Sequence, residues 1–225
     1  MEIIDNINNG WEEFINENID SINTILNKLD FDNEIIFPEK ENIFKALFYF
    51  GPEDIKLVIL GQDPYPSSEI INNKEISHAC GLAFSVNSNH KKIPPSLKNI
   101  YKELKNCYPE YEIPKNGCIK RWAVEENILL LNSSLTVIKG KSNCHAELWV
   151  SFTDKLIKYI CDKNKNTIFL LMGNFAIKKK KIITNKVFTC VHPSPLSANR
   201  GFFNSNIFKK INDYLDENNQ IQIKW

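Results

Sequence analysis

Three polar residues at the ends of apolar runs are the best placed in this sequence to do chemistry. Asp63 lies in VILGQDPYP, Asn132 closes NILLLN, and His192 ends KVFTCVH and opens HPSPLS. A carboxylate can stabilise a developing cation or position a water. A neutral imidazole can donate a hydrogen bond to a developing anion. A carboxamide presents a donor and an acceptor side by side, an edge suited to reading a base or an amide. Phe84, after the Gly of GLAFS, offers an aromatic face to a flat ligand. HPSPLS offers hydroxyls and backbone N–H groups to phosphates. No Ser or Cys is well placed as a nucleophile, so the chemistry indicated is electrostatic and acid–base. Taken singly, each residue has a plainer explanation. An Asp or Asn after a strand often closes a turn, a Phe after Gly is often core, and a single His is often just a satisfied polar group. Alone, these residues define an α/β enzyme of open chemistry.

The elements that must position them can be read from hydrophobic patterning. Four apolar, β-branched runs predict buried strands at Ile55 to Gly61, Asn127 to Asn132, Asn166 to Gly173 and Lys186 to His192. Helical spacing lies between and after them. PPSLKNIYKELKN predicts a helix through Lys105 with Ser96 as its cap. SFTDKLIKYICDK and NSNIFKKINDYLDEN predict two more, the last amphipathic. Strands alternating with helices imply a four-stranded, parallel, twisted sheet flanked by helices on both faces, in one domain over residues 1–225. Ligands bind such sheets beyond the carboxyl ends of the strands, and Asp63, Asn132 and His192 all fall there.

Composition narrows the class. The chain has 225 residues, 43% hydrophobic and 24% charged, which suits a folded globular protein and excludes a disordered or fibrous one. A net charge of +1 neither announces nor excludes a nucleic-acid partner, because a local basic face matters more than the total. The six cysteines show no C-x-x-C and no zinc-finger spacing with the four histidines, so free thiols in a reducing compartment are expected, with no cofactor and no metal. The polar opening MEIIDNINNG is not a signal segment, and no apolar run is long enough to span a bilayer, so no membrane is expected.

GQDPY, GLAFSV, PPSLKNIYKEL, LLLNSSLTV and HPSPLSANRGFF occur in this order. Together they resemble the family 1 uracil-DNA glycosylases over nearly the whole chain, with weaker echoes at WEEFI, IFP and SFTD. The resemblance implies a metal-independent hydrolase that flips uracil from single- or double-stranded DNA and cuts its N-glycosidic bond to initiate base excision repair. It assigns catalysis to Asp63, for the oxocarbenium-like sugar and the attacking water, and to His192, for the uracil anion. It assigns uracil binding to Gln62, Tyr65, Phe84 and Asn132, with Tyr65 against C5 excluding a thymine methyl. It assigns DNA contacts to Ser96, Gly173, Asn174, Ser194, Leu196 and Ser197, with Leu196 as the wedge. Lys178 to Lys181 form a basic run that could add phosphate contacts or simply be a solvated face. The resemblance further implies a monomer and a small protein inhibitor that mimics DNA. The setting would be cytoplasmic in a bacterium, or a nucleus or viral replication site otherwise.

The sequence departs from the family pattern at Pro66, where His is usual, and at Cys80, where His is common. The connection from residue 66 to 80 is long, CHAELW is one residue short, and Asn174 replaces Ser. Two competing readings stay open: a DNA-binding polymerase processivity scaffold with weak or no cleavage, and a glycosylase for another base.

Overall fold

A computed structural model describes residues 3–90 and 92–225. In chain order its helices are α1 (Glu12–Asn27), α2 (Pro95–Cys107), α3 (Lys120–Glu126), α4 (Ala146–Lys163), α5 (Asn174–Ile177) and α6 (Ile207–Glu217). Its strands are β1 (Ile36–Phe37), β2 (Leu57–Gly61), β3 (Ser68–Ile71), β4 (Lys74–Ser77), β5 (Ile128–Asn132), β6 (Val137–Ile138), β7 (Ile168–Met172) and β8 (Val187–Cys190). The central sheet has the order β5-β2-β7-β8, and every neighbouring pair is parallel. The expected four-stranded α/β architecture is therefore present, each strand slightly shorter than its apolar run.

β2, β5 and β7 are buried at every residue, so both faces of the sheet are covered. That explains their unbroken apolar sequence, since a half-solvated strand would alternate. β8 differs from the expectation of a fourth buried strand. It ends the sheet, Thr189 is exposed, and Val187, Phe188 and Cys190 are half-buried. An edge strand lacks a neighbour on one side, and its apolar composition does not reveal that.

α1 packs on α4 through aromatic side chains, with Phe14 and Phe152 ring centroids 5.5 Å apart. Trp149 is fully buried and donates its indole N–H to Thr136 Oγ1 at 2.7 Å. On the other helix pair, α2 holds the approach to α6. The buried carboxylate of Glu103 accepts the backbone N–H groups of Asn204 and Asn206 at 2.8 and 2.9 Å and the hydroxyl of Ser205. Asn99 of the same helix donates to the carbonyl of Pro193 at 2.8 Å. Thus α2 anchors both ends of the segment that follows β8.

Ser96 is not the cap of α2. Pro94 precedes the helix, Pro95 opens it, and Ser96 is its second residue with no capping hydrogen bond. Proline at the first position needs no partner for an N–H it lacks. The long 66–80 connection is largely a β-hairpin, β3 paired antiparallel with β4 about Asn72 and Asn73, both at positive φ. All six cysteines are free thiols. Among the described residues no helix is long and apolar enough to cross a membrane.

Candidate active site

β2 continues to β5 on one side while its other neighbour, β7, continues to β8 on the far side, so the connections leave the adjacent carboxyl ends of β2 and β7 in opposite directions. Such a switch point opens a crevice, and a cavity of about 540 Å³ lies there. Gln62, Asp63, Tyr65, Phe84, Asn132 and His192 all line it. Ser96, Ser194 and Leu196 reach it as well. Gly173 and Asn174 instead border an adjoining cavity that His192 and Gln62 also line.

Asp63 is half-buried at the exit of β2. Its Oδ2 accepts the backbone N–H of Asn143 at 2.6 Å. Burial nevertheless raises its pKa above the ordinary carboxylate value, and the hydrogen bond from Asn143 only partly offsets this. Gln62 donates to the Asn143 side chain at 3.3 Å, so one residue steadies both members of the Gln-Asp pair. Asn143 was not foreseen. Its bond to Asp63 runs through its main chain, and such a role leaves no side-chain signature.

Asn132 is 7% exposed, and its amide has no hydrogen-bond partner among the described residues. It sits directly across from Gly61 in the β2–β5 register. A Cβ on Gly61 would lie 2.2 Å from Asn132 Oδ1, so glycine there makes room for the amide.

Phe84 sits at φ +64°, a left-handed conformation that is rare for a bulky residue. The Ala83 N–H bonded to Leu130 O of β5 and the Tyr65 hydroxyl donated to Phe84 O hold it there. Strain of this kind persists where surrounding structure enforces it, commonly at functional sites. The Phe84 ring lies 6.2 Å from that of His192.

The hydrogen bonds around His192 define its tautomer. The backbone N–H of Ser194 donates to His192 Nδ1 at 3.1 Å. Nδ1 must therefore carry a lone pair, which leaves the proton of the neutral ring on Nε2. Burial lowers the His192 pKa below the ordinary value, favouring this neutral form. Gly173, at φ +87°, backs the ring; a Cβ there would come within 2.7 Å of His192 Cβ.

The serines of HPSPLS serve the histidine first. Ser197 donates its hydroxyl to the His192 carbonyl at 2.8 Å, and Ser194 and Ser197 hydroxyls are 2.8 Å apart. Each hydroxyl has one proton, so Ser194 donates to Ser197 and neither proton is left for a phosphate in this arrangement. Leu196 is 86% exposed at the rim. The basic run is not a uniform solvated face: Lys179 is buried and paired with Asp154, while Lys178, Lys180 and Lys181 are exposed.

A carboxylate and an imidazole share one cleft with a carboxamide and an enforced aromatic ring at the carboxyl end of a parallel sheet, the place where α/β enzymes bind their ligands. The family model of the uracil DNA glycosylase superfamily matches residues 48–216. A uracil-DNA glycosylase of Bacillus mycoides is 45% identical over 202 residues, covering 88% of this chain and 85% of that protein. One from Alkaliphilus oremlandii is 43% identical over 203 residues, covering 87% and 84%. Among solved structures, a mimivirus UNG variant in complex with UGI superposes with a TM-score of 0.88 at 31% identity, covering 96% of this chain and 88% of that one. The chain belongs to the uracil DNA glycosylase superfamily.

Proposed function

We propose that this protein excises uracil from DNA by hydrolysing the N-glycosidic bond of a flipped nucleotide, with Asp63 and His192 dividing the charges that develop. The observation that carries this reading is the hydrogen-bonded state of His192, a neutral ring whose free donor is Nε2–H. Bond breakage leaves a cationic sugar and an anionic base. Asp63 stabilises the sugar cation and orients the water that attacks C1′. His192 Nε2–H donates to uracil O2 as negative charge gathers there, and a neutral donor remains available across the physiological range.

Asn132 accepts from uracil N3–H and donates to O4. Cytosine presents the reverse pattern and matches the amide only if its oxygen and nitrogen exchange places, so the preference rests on how firmly Asn132 is held in one orientation. Tyr65 stands where a thymine methyl would project, and its buried hydroxyl, tied to Phe84 O, holds the ring in place. Phe84 stacks on the base, with Gln62 lining the pocket. Ser96, Gly173, Asn174, Ser194 and Ser197 contact the DNA backbone, the two HPSPLS hydroxyls rotating out of their mutual bond to do so. Relatives from Bacillus and Alkaliphilus favour a bacterial cytoplasmic setting. UGI, the partner of the mimivirus UNG variant, is the protein ligand to expect.

The test uses end-labelled oligonucleotides with one uracil, thymine or cytosine, incubated in EDTA and then cleaved with alkali at abasic sites. Cleavage at uracil alone supports the reading. Tight DNA binding without base release would instead favour a scaffold.

Leu196 carries a separate prediction. Its exposure means truncation should not affect folding, yet an apolar wedge is needed to fill the stack that a flipped base leaves. Leu196→Ala should slow excision from duplex DNA about tenfold or more, at the few kcal/mol of unstacking. Single-stranded substrate, which has no stack to hold open, should be cut at close to the original rate. Parallel single-turnover assays on the two substrates check this.

The pH profile follows from the two shifted groups. Asp63 must be ionised and its pKa is raised; His192 must be neutral and its pKa is lowered. Both conditions require loss of a proton, so both act on the acid side. kcat/KM should therefore fall only on the acid side, through two protonations, and His192→Ala should remove one of them. A bell centred near neutrality would contradict the assignment.

A further inference from the structure

The inserted hairpin gathers three groups that base excision does not use. Glu69 lies on β3, His78 directly follows β4, and His90 lies in the loop beyond GLAFSV. One ligand atom from each, a carboxylate oxygen and two imidazole nitrogens, lie within 4.8 Å of one another. Their separation in sequence matches no metal motif; pairing of the hairpin brings them together.

Each histidine is steadied through a second nitrogen. His90 is 3% exposed, with Nε2 2.8 Å from the carbonyl oxygen of Ser77 and Nδ1 2.8 Å from Glu69 Oε1. A carbonyl only accepts, so Nε2 holds a proton, and Nδ1 is the nitrogen turned to the carboxylate. His78 Nδ1 meets the hydroxyl of Ser67 at 3.1 Å, which leaves Nε2 as the ring's other ligand position. The two rings stack with centroids 4.7 Å apart at 28°, so the half-buried His78 must turn out of the stack for both in-plane lone pairs to reach one ion. Two imidazoles and a carboxylate, each imidazole oriented by a carbonyl or hydroxyl behind it, make the ligand set and outer support that zinc takes.

We propose that Glu69, His78 and His90 bind a divalent metal of the zinc type, with a fourth position open to water. Imidazole nitrogen disfavours calcium and magnesium, which prefer all-oxygen sites. Metal–ligand bonds of about 2.0–2.2 Å require ligand atoms roughly 3.3–3.6 Å apart, so Glu69 Oε1 and His90 Nδ1 must part from 2.8 Å while His78 closes in from within 4.8 Å. The half-buried side chains of Glu69 and His78 supply that movement. The proton between His90 Nδ1 and Glu69 leaves to solvent as the metal enters. The ion would clamp the hairpin to the wall of the cleft, since Ala79, next to His78, lines the cavity and packs with Phe37, Val137 and Tyr65. It takes no part in bond breakage, so excision should continue in EDTA.

The test titrates EDTA-stripped, dialysed protein with Co²⁺ and, separately, Zn²⁺. One equivalent of Co²⁺ should bind, with the visible absorption of a four-coordinate ion and no near-ultraviolet thiolate band, which would report cysteine ligation. Zn²⁺ should raise Tm through linkage. Glu69→Gln and His78→Ala, whose metal-free Tm verifies folding, should each weaken binding about tenfold or more, and the double variant should abolish the Tm rise. Equal binding by wild type and double variant would overturn the proposal. So would no stoichiometric binding by wild type, which would reduce the three residues to a hydrogen-bonded pair beside a stacked ring.

Discussion

Asp63→Asn should slow uracil release from single-stranded DNA by about 10³-fold or more at saturating enzyme, while changing DNA affinity little. The substitution keeps shape, and the amide oxygen can still accept the Asn143 N–H that Asp63 Oδ2 accepts at 2.6 Å. What disappears is one full negative charge in a half-buried site. A single fixed donor at a developing charge is worth about 10²–10³ in rate, and a whole charge facing a sugar cation sets a larger loss. DNA is itself polyanionic, so removing an anion from the cleft should not weaken association. Single-turnover rates with fluorescence-anisotropy affinities separate the two effects. A rate within tenfold of wild type would show that Asp63 is only a turn residue.

The second large effect is expected at a residue that touches no substrate. In Gly61→Ala the new methyl would lie 2.2 Å from Asn132 Oδ1 and 3.1 Å from Ala83 Cβ, so the amide must move or the strands must part. Gly61 and Asn132 are register partners at the ends of β2 and β5. The strands are held beyond them by Ser133 N–H to Gly61 O and Ser134 N–H to Gln62 O, which favours displacement of the side chain. A misplacement of about 1 Å can cost about 10²-fold, so Gly61→Ala should lose at least that much in kcat/KM. Asn132→Ala should lose as much, and the double variant little more. Full additivity in the double variant would show that the methyl acts elsewhere.

The Asp63 and Asn132 side of the cleft was legible because those residues end apolar runs whose burial is complete. β2, β5 and β7 had to lie inside a covered parallel sheet, which put Asp63 and Asn132 at one edge. The rest depended on partners distant in sequence. Gly61 is needed only because Asn132 lies opposite it. Lys179 looks like one of four solvated lysines until Asp154 of α4 pairs with it. Ser96 looked like a cap, but the helix already begins at Pro95, which puts Ser96 inside the first turn. The hairpin did carry a local signal, since an Asn-Asn pair with both residues at positive φ suits a tight two-residue turn between strands. Ser194 and Ser197 do work that composition does not reveal: the Ser194 backbone N–H fixes the tautomer of His192 and the Ser197 hydroxyl holds its carbonyl.

The proposed chemistry requires an ionised Asp63 and a neutral His192 with its proton on Nε2, the two lining one cavity. Nitrogen-15 NMR of the imidazole-labelled protein, with His192 assigned by comparison with His192→Ala, tests it most directly. Nδ1 should show a lone-pair shift and Nε2 a protonated shift at pH 8, with the imidazolium appearing only below the ordinary histidine range. An imidazolium at pH 8, or a ring protonated on Nδ1, would contradict this.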